Sequence, residues 1–372
     1  MESEPARAAG SVRRSIEVEY WVIDREGYLT DAGELGTGCK GVEREFVAPL
    51  LEIKTRPCTT TAELRRNLFD RLQRVLSRAD RRGKKLVPLA TPVNEGCIAD
   101  LDSERTAVQD RVLGEDFEYV RHCAGTHVHI EQQPGNEVNQ LNTLTALDPA
   151  LALVNSSPYY QGEALTPGAR SALYRWLAYE TLPNQGELWP YADGRVEYAR
   201  RVERCYEEFL TEAMMAGVDR ERVESAFTPE GAVWTPVQFR QEFSTVEWRS
   251  PDTALPSQVL QLAADIVSTV ERALETEVRI GEDTGRVSAE AVALPTFDRV
   301  QEYVDGAVRE GISPSVESYL ERMGFDVAAY EPISPDIAGD EPVSQQTARE
   351  IRLEYASRLE EELEQERSVV AE

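Results

Sequence analysis

The chain has 372 residues, 67 acidic and 40 basic, for a formal charge of −27. That excess excludes a nucleic-acid backbone as partner, since neutralising phosphates takes clustered Lys and Arg. A hydrophobic content of 41% is enough to fill a core and excludes general disorder. No apolar stretch approaches the roughly 20 residues a bilayer crossing needs, the best window, 144–154, being broken by Asp148 and Pro149. Residues 1–14 are polar and carry no apolar run, so no membrane association and a cytoplasmic location are expected.

The length suits one large domain or two of ordinary size. Lys40, Lys54, Lys84 and Lys85 are the only lysines, every other cation being Arg. Acid excess with scarce lysine suits a halophilic protein working in molar salt, where screening to about 3 Å removes the self-repulsion of such a charge; a GC-rich genome would give a similar bias. Cys39, Cys58, Cys97, Cys123 and Cys205 contain no C-x-x-C pair, so reduced, mostly buried thiols are expected rather than a disulfide framework or a structural zinc site.

Residues 15–24 alternate, with Ile16, Val18, Tyr20 and Val22 on one face, the periodicity of a strand. A Gly-rich segment follows at 27–41. It contains a literal G-x-G-x-x-G at Gly36, Gly38 and Gly41, but β-type residues and Pro49 follow where a phosphate-binding helix should begin, so it reads as a flexible turn. β-type residues resume over 42–55. Thr60-Thr61-Ala62-Glu63 has the capping-box pattern, and Leu64, Leu68, Leu72, Val75 and Ala79 follow at helical spacing until Gly83. Strands are predicted at 86–90, 125–131 and 242–249, and helices at 171–180, 196–215 and from Pro256 onward. Residues 331–342 hold three prolines and read as a breaker stretch. The resulting division is a polar tail at 1–14, a catalytic domain at 15–330, a Pro-rich linker at 331–342 and an acidic amphipathic helix at 343–372. That helix could pack on its own domain or on a partner, which leaves a homo-oligomer open. Strands scattered among helices without βαβ alternation predict an α+β fold, an antiparallel sheet with helices covering one face.

Four of these strands carry ionisable side chains at every second residue. The first presents Glu17 and Glu19, the second Glu52 and Lys54, the third His127, His129 and Glu131, and the fourth Thr245, Glu247 and Arg249. A solvated sheet face alternates too, but it mixes Thr, Ser, Lys and Glu, whereas most positions here are carboxylate, imidazole or cation. Carboxylates at i and i+2 lie about 6.6 Å apart and repel by roughly 2.5 kcal/mol at an effective dielectric near 20. A buried face of this kind needs cations, and its oxygen-rich donors suit Mg²⁺ or Mn²⁺ better than Zn²⁺. Arg249 adds a planar cation suited to phosphoryl oxygens. Metals with a pre-placed Arg describe phosphoryl transfer, and with no P-loop in the chain the metals would bind most of a triphosphate.

Five blocks then carry a resemblance. Ser-Ile-Glu17-Val-Glu19-Tyr is similar to a G-x-E-x-E opening, with Ser15 in place of Gly, and Leu51-Glu52-Ile-Lys54-Thr-Arg-Pro-Cys58 to an E-L-K-T-P-x-C block. Cys123-Ala-Gly-Thr-His127-Val-His129 resembles C-G-x-H-V-H, Asn155-Ser-Ser-Pro with Ser171 to Arg175 resembles N-S-P…S-x-R, and Thr245-Val-Glu247-Trp-Arg249 resembles T-x-E-x-R. Together they resemble the glutamate-cysteine ligases of the carboxylate-amine ligase group, whose catalytic fold is similar to that of glutamine synthetase. The resemblance implies that ATP phosphorylates the γ-carboxylate of glutamate and that the amine of cysteine attacks the acyl phosphate. Related ligases keep the metal face and change the amine. Carried over by position, Glu17, Glu19, Glu52, His127 and Glu247 would hold the metals and Arg249 would stabilise the phosphoryl group. His129 would be a ligand or a hydrogen-bond partner, and Lys54 a phosphate contact or a pair for Glu52. Asn155 and Arg175 would bind an amino-acid substrate or hold a loop.

Overall fold

The structure is a computed structural model that describes residues 11–339 and 341–371. Most of the polar tail expected at 1–14 therefore lies outside the described residues. The alternation at 15–24 forms β1, Arg14–Asp24, with Ile16, Val18, Tyr20 and Val22 all buried. The turn-rich segment after it leads to β2, Val42–Arg44, and β3, Leu50–Lys54.

Helix α1, Thr61–Asp80, starts where its cap residues dictate. Thr60 Oγ1 accepts the N–H of Glu63 at 3.1 Å, while the Glu63 carboxylate reaches back to the N–H of Thr59 at 2.9 Å, one residue earlier than a standard capping box. Strand β4, Lys84–Val87, follows, and β5 is Thr126–Glu131. A short ribbon, β6 at Tyr159–Tyr160 and β7 at Glu163–Ala164, precedes β8, Val237–Arg240, and β9, Thr245–Trp248. The strand predicted at 242–249 is thus the second half of a hairpin. Residues 241–244 form its turn, with Ser244 at φ 53°, and β8 is a strand the sequence pattern did not separate from its surroundings.

The main sheet runs β2-β3-β1-β5-β9-β8, and β4 pairs with the far end of β1. Every pairing in it is antiparallel. One face is apolar. Val18, Ile53, Val128 and Val246 pack there against Leu68 and Leu72 of α1, Leu144 of the helix Glu137–Leu147 and Ile266 of the helix Pro256–Glu275. Fully burying each such side chain contributes roughly 1.5–3 kcal/mol.

A second, smaller core stands over the other face. It joins Val108 of α2, Glu104–Leu113, with Tyr174, Phe209 of the helix Arg195–Met215, and Trp234. The helix predicted at 171–180 is shorter than expected, with regular turns at Ala169–Ala172 and a π-helical stretch at Leu173–Leu177. After Pro256 the chain is not wholly helical, because Glu277–Glu282, Arg286–Val287 and Ala291–Pro295 form a separate three-stranded sheet, β10 to β12.

Residues 331–339 of the stretch predicted as a linker are docked onto the body. Ser334 donates its N–H to the carbonyl of Asn155 at 3.0 Å, and Ile333 is buried. The last helix, Gln345–Ala371, lies on the same chain, burying Tyr355, Leu359 and Leu363. No helix among the described residues is long and apolar enough to cross a membrane. Cys58, Cys123 and Cys205 are buried, Cys39 is half-buried and Cys97 is exposed, and all are free.

Candidate active site

Strand register sets the site. Glu17 stands opposite Lys54 on one side and His127 on the other, Glu19 opposite Glu52, Glu52 opposite Glu43, and His129 opposite Glu247. Directly opposed residues place their Cβ atoms about 4.5–5.5 Å apart, so five strands drawn from separate parts of the sequence lay one continuous polar floor. Over most of it lies a cavity of about 720 Å³, lined by Glu17, Glu19, Glu52, Lys54, His127, Glu247 and Arg249 from the sheet and roofed by Tyr174, Tyr179 and Trp234.

The floor is crowded with carboxylates. Three groups have ligand atoms within 4.8 Å of one another: Glu17, Glu52 and His127; Glu17, His129 and Glu247; and Glu19, Glu45 and Glu52. His127 Nδ1 lies 3.4 Å from Glu17 and 3.5 Å from Glu247. His129 is held by Thr245, whose Oγ1 is 3.0 Å from Nδ1. Its Nε2 is buried without a hydrogen-bond partner and faces Glu17 at 3.6 Å and Glu247 at 3.5 Å. An orphaned imidazole nitrogen between two carboxylates is a donor set that fits a divalent cation.

The electrostatics agree. Burial, followed by the charges of Glu45 and Glu17, raises the Glu52 carboxyl well above its ordinary value. Burial and the neighbouring Glu19 push Glu45 up to about 7. Burial would raise Glu247 too, but Arg249 and the two histidines outweigh it and bring Glu247 down to about 2. Glu17 is likewise held below the carboxylate range, hydrogen bonds to His127 and His129 overcoming its burial. Burial lowers His127, favouring the neutral imidazole that coordinates metal. Raised and depressed carboxyls side by side mark a surface with more negative charge than its own cations neutralise.

The cations divide by availability. Lys54 is occupied, its Nζ 2.7 Å from Glu52, 3.1 Å from Glu43 and 3.8 Å from Glu17. Arg249 is freer. Its guanidinium lies 5.7 Å from the Trp234 ring centroid, and its nearest carboxylate contact is Nε to Glu247 at 3.6 Å. Arg170, fully buried, fixes the backbone there by donating to the carbonyls of Arg249, Ser250 and Pro251. Gly125 makes room for it, because a Cβ there would meet the Arg170 guanidinium at 2.2 Å.

Asn155 and Arg175 do not line this cavity. Arg175 donates to Asp148 at 2.7 Å and to Ser250 at 2.9 Å, and Asn155 donates to the carbonyl of Ala307 at 3.2 Å. Glu131 pairs with Arg13 at the rim. Sequence reasoning passed over Glu45, Gln238 and Arg240. Gln238 and Arg240 both reach Glu247, at 2.8 and 3.3 Å. Their alternation in Val-Gln-Phe-Arg is the same signal that marked the other four strands, whereas Glu45 lies in an irregular turn with no periodicity to read.

Residues 15–323 match the family described as glutamate-cysteine ligase family 2. The chain belongs to that family. A Salinispora tropica protein provisionally named glutamate-cysteine ligase 2 is 27% identical over 278 residues, covering 74% of this chain and 68% of its own length. Among solved structures, a bifunctional glutathione synthetase from Pasteurella multocida superposes with a TM-score of 0.59 at 13% identity over 95% of this chain, which spans 53% of that enzyme. A glutamate-cysteine ligase from Francisella tularensis, solved with AMP, superposes with a TM-score of 0.56 at 11% identity, covering 95% of this chain and 89% of its own. At such identities the likeness is one of fold, and family membership rests on the sequence match.

Proposed function

We propose that the chain is an ATP-dependent ligase that joins the γ-carboxylate of glutamate to the amino group of cysteine, releasing ADP and phosphate, with Mg²⁺ or Mn²⁺ as cofactor. The observation that carries this reading is the convergence of Glu17, Glu52, His127, His129, Glu247 and Arg249 from separate strands on one floor. A divalent cation held by Glu17, Glu52 and His127, or by Glu17, His129 and Glu247, supplies the positive charge that triphosphate oxygens require.

In the first step a γ-carboxylate oxygen of glutamate bonds to the terminal phosphorus of ATP as the bond to ADP breaks. Arg249, tethered through its backbone by Arg170, is placed to hold the phosphoryl oxygens as their charge redistributes. In the second step the amine attacks the acyl carbon, phosphate departs and the nitrogen loses a proton. Acyl phosphates hydrolyse readily, so the aromatic roof of Tyr174, Tyr179 and Trp234 serves to exclude water. Lys54 neutralises Glu52 and Glu17 within the floor. Arg175 and Asn155 support the loops beside it. A cytoplasmic location fits a reaction that consumes ATP.

The test is ADP release from ATP, Mg²⁺ and glutamate with a panel of amines. Release that depends on cysteine supports the proposal. Release with another amine reassigns the acceptor within the carboxylate-amine ligases, and no release with any amine overturns the ligase reading.

A further inference from the structure

A second polar cavity, of about 490 Å³, lies between the Gly-rich turn and α1. It is lined by Gly38, Lys40, Arg71, Arg74 and Arg78, together with Asp70 and the half-buried Cys39. In a chain of charge −27 a group of four cations stands out, and their partners make it more so. Arg71 donates to Asn67 Oδ1 at 3.1 Å and to the carbonyl of Lys40, and Arg78 donates to the carbonyls of Leu35 and Thr37 at 3.3 and 2.9 Å. These acceptors are neutral. Among the described residues no carboxylate comes within 4.0 Å of any of the four cations, Asp70 included. Some arginines elsewhere on the surface are paired with carboxylates, as Arg65 with Glu366 and Arg220 with Glu207, and others, such as Arg66 and Arg111, are unpaired among the described residues but do not line a common cavity with three further cations.

The arrangement is built rather than incidental. Arg71, Arg74 and Arg78 recur at i, i+3 and i+7 on one helix face, a spacing at which like charges destabilise the helix by roughly 0.2–0.5 kcal/mol per pair. The turn is shaped around one of them. Gly41 sits at φ 76°, and a Cβ there would lie 1.9 Å from Arg71 Nη1 and 2.7 Å from the carbonyl of Lys54. No aromatic side chain lines the cavity, so nothing stacks a nucleobase, and its volume exceeds that of a single phosphate. We propose that this pocket binds a small anion carrying a diphosphate or a sugar phosphate, gripped by Lys40, Arg71, Arg74 and Arg78 under the Gly-rich turn. The site is separate from the catalytic cavity and does not rest on the ligase reading, yet the two are joined. Gly41 O accepts the N–H of Lys54 at 2.8 Å, and β2 begins at the next residue and carries Glu43 to within 3.1 Å of Lys54 Nζ. An anion that orders the turn therefore bears on the edge of the catalytic floor.

Calorimetric titration of the full chain with pyrophosphate, and separately with ribose 5-phosphate, in metal-free buffer tests the site and distinguishes the two ligand classes. The expected result is saturable binding of one equivalent that persists in Arg249→Ala and weakens at least tenfold in Arg74→Ala. Arg78→Gln serves as a second variant should the first fail to fold. Because Arg74→Ala relieves repulsion, its ligand-free melting temperature should match or exceed that of the parent, while the rise caused by pyrophosphate disappears. Binding that vanishes in Arg249→Ala would assign the anion to the catalytic cavity and overturn the proposal, as would binding unchanged in both Arg74→Ala and Arg78→Gln, or no binding of either anion.

Discussion

The two faces of the main sheet are made by the same strands and obey opposite rules. Between Glu17 and Glu19 stands Val18, between His127 and His129 stands Val128, and between Glu247 and Arg249 stands Trp248, each of the three apolar residues fully buried. The apolar face is locked by helices whose burial repays the ordering of the chain. The polar face gathers carboxylates whose repulsion is only partly relieved by Lys54, Arg240 and Arg249. One face stabilises the fold and the other stores an electrostatic cost that a bound cation would offset, which is the usual division between core and active site. The β pleat lets both coexist, because a period of two separates the two sets completely.

If the division is real, substitutions one residue apart in sequence should have effects of different kinds. The largest is expected at Arg249 and the carboxylate beside it: Arg249→Ala and Glu247→Gln should each lower turnover by about 10³-fold while circular dichroism stays native. Near-normal rates would remove both from the chemistry. Next, Glu17→Gln and His129→Gln should weaken Mn²⁺ binding, followed by electron paramagnetic resonance, by about 10- to 100-fold; unchanged affinity would exclude them as ligands. On the opposite face, Ile130→Ala, beside His129, should cost about 2–5 kcal/mol of stability in chemical denaturation, with activity per folded molecule retained. Loss of activity without loss of stability would break the comparison.

Smaller effects concern proton and salt linkage. Glu45 is pushed up to about 7 by burial and then Glu19, and Asp252 to about 7 by burial. A carboxyl raised in the folded state binds its proton more tightly there than when unfolded. Its contribution is therefore complete below the ordinary carboxyl range and lost as pH rises through about 7. Glu17 and Glu247 are depressed, so their contribution is lost only at acid pH. Between pH 5 and 8 the raised carboxyls, Glu52 among them, should outweigh His127, whose lowered value acts in the opposite sense as pH rises through the ordinary imidazole range. The metal-free protein should melt at a lower temperature as pH rises, Glu45→Gln should flatten that slope, and saturating Mg²⁺ should reverse it. A flat profile in the parent protein would contradict the charge assignment. Last, moving from dilute buffer to molar KCl should raise the melting temperature by screening a charge of −27; no change would set aside the halophilic reading.

Much of this was legible before any coordinates. The alternation of residues 15–24 gave β1 within a residue, and the cap at Thr60 placed the start of α1. The carboxylates, histidines and Arg249 stood out because local periodicity is a property of neighbouring residues. What failed was non-local. Of the hairpin at 237–248 the pattern yields only the second strand, predicted from 242, because the turn, Gln241-Glu242-Phe243-Ser244, lacks Gly, Asn and Asp and carries the positive φ on Ser244. For Arg175 and Asn155 the motif resemblance left substrate binding and a loop role both open, and only the folded chain shows buried Asp148 and the carbonyl of Ala307 as their partners.

The sequence by itself determined which side chains share a strand face and where α1 begins, since each follows from backbone geometry over a few residues. Tertiary structure alone decided that Glu17 meets His127 rather than His129 across the ladder, that Glu45 joins the carboxylates and that Lys54 is occupied while Arg249 is freer. Register, burial and the competition of charges for partners depend on segments far apart in the chain, and no local pattern encodes them.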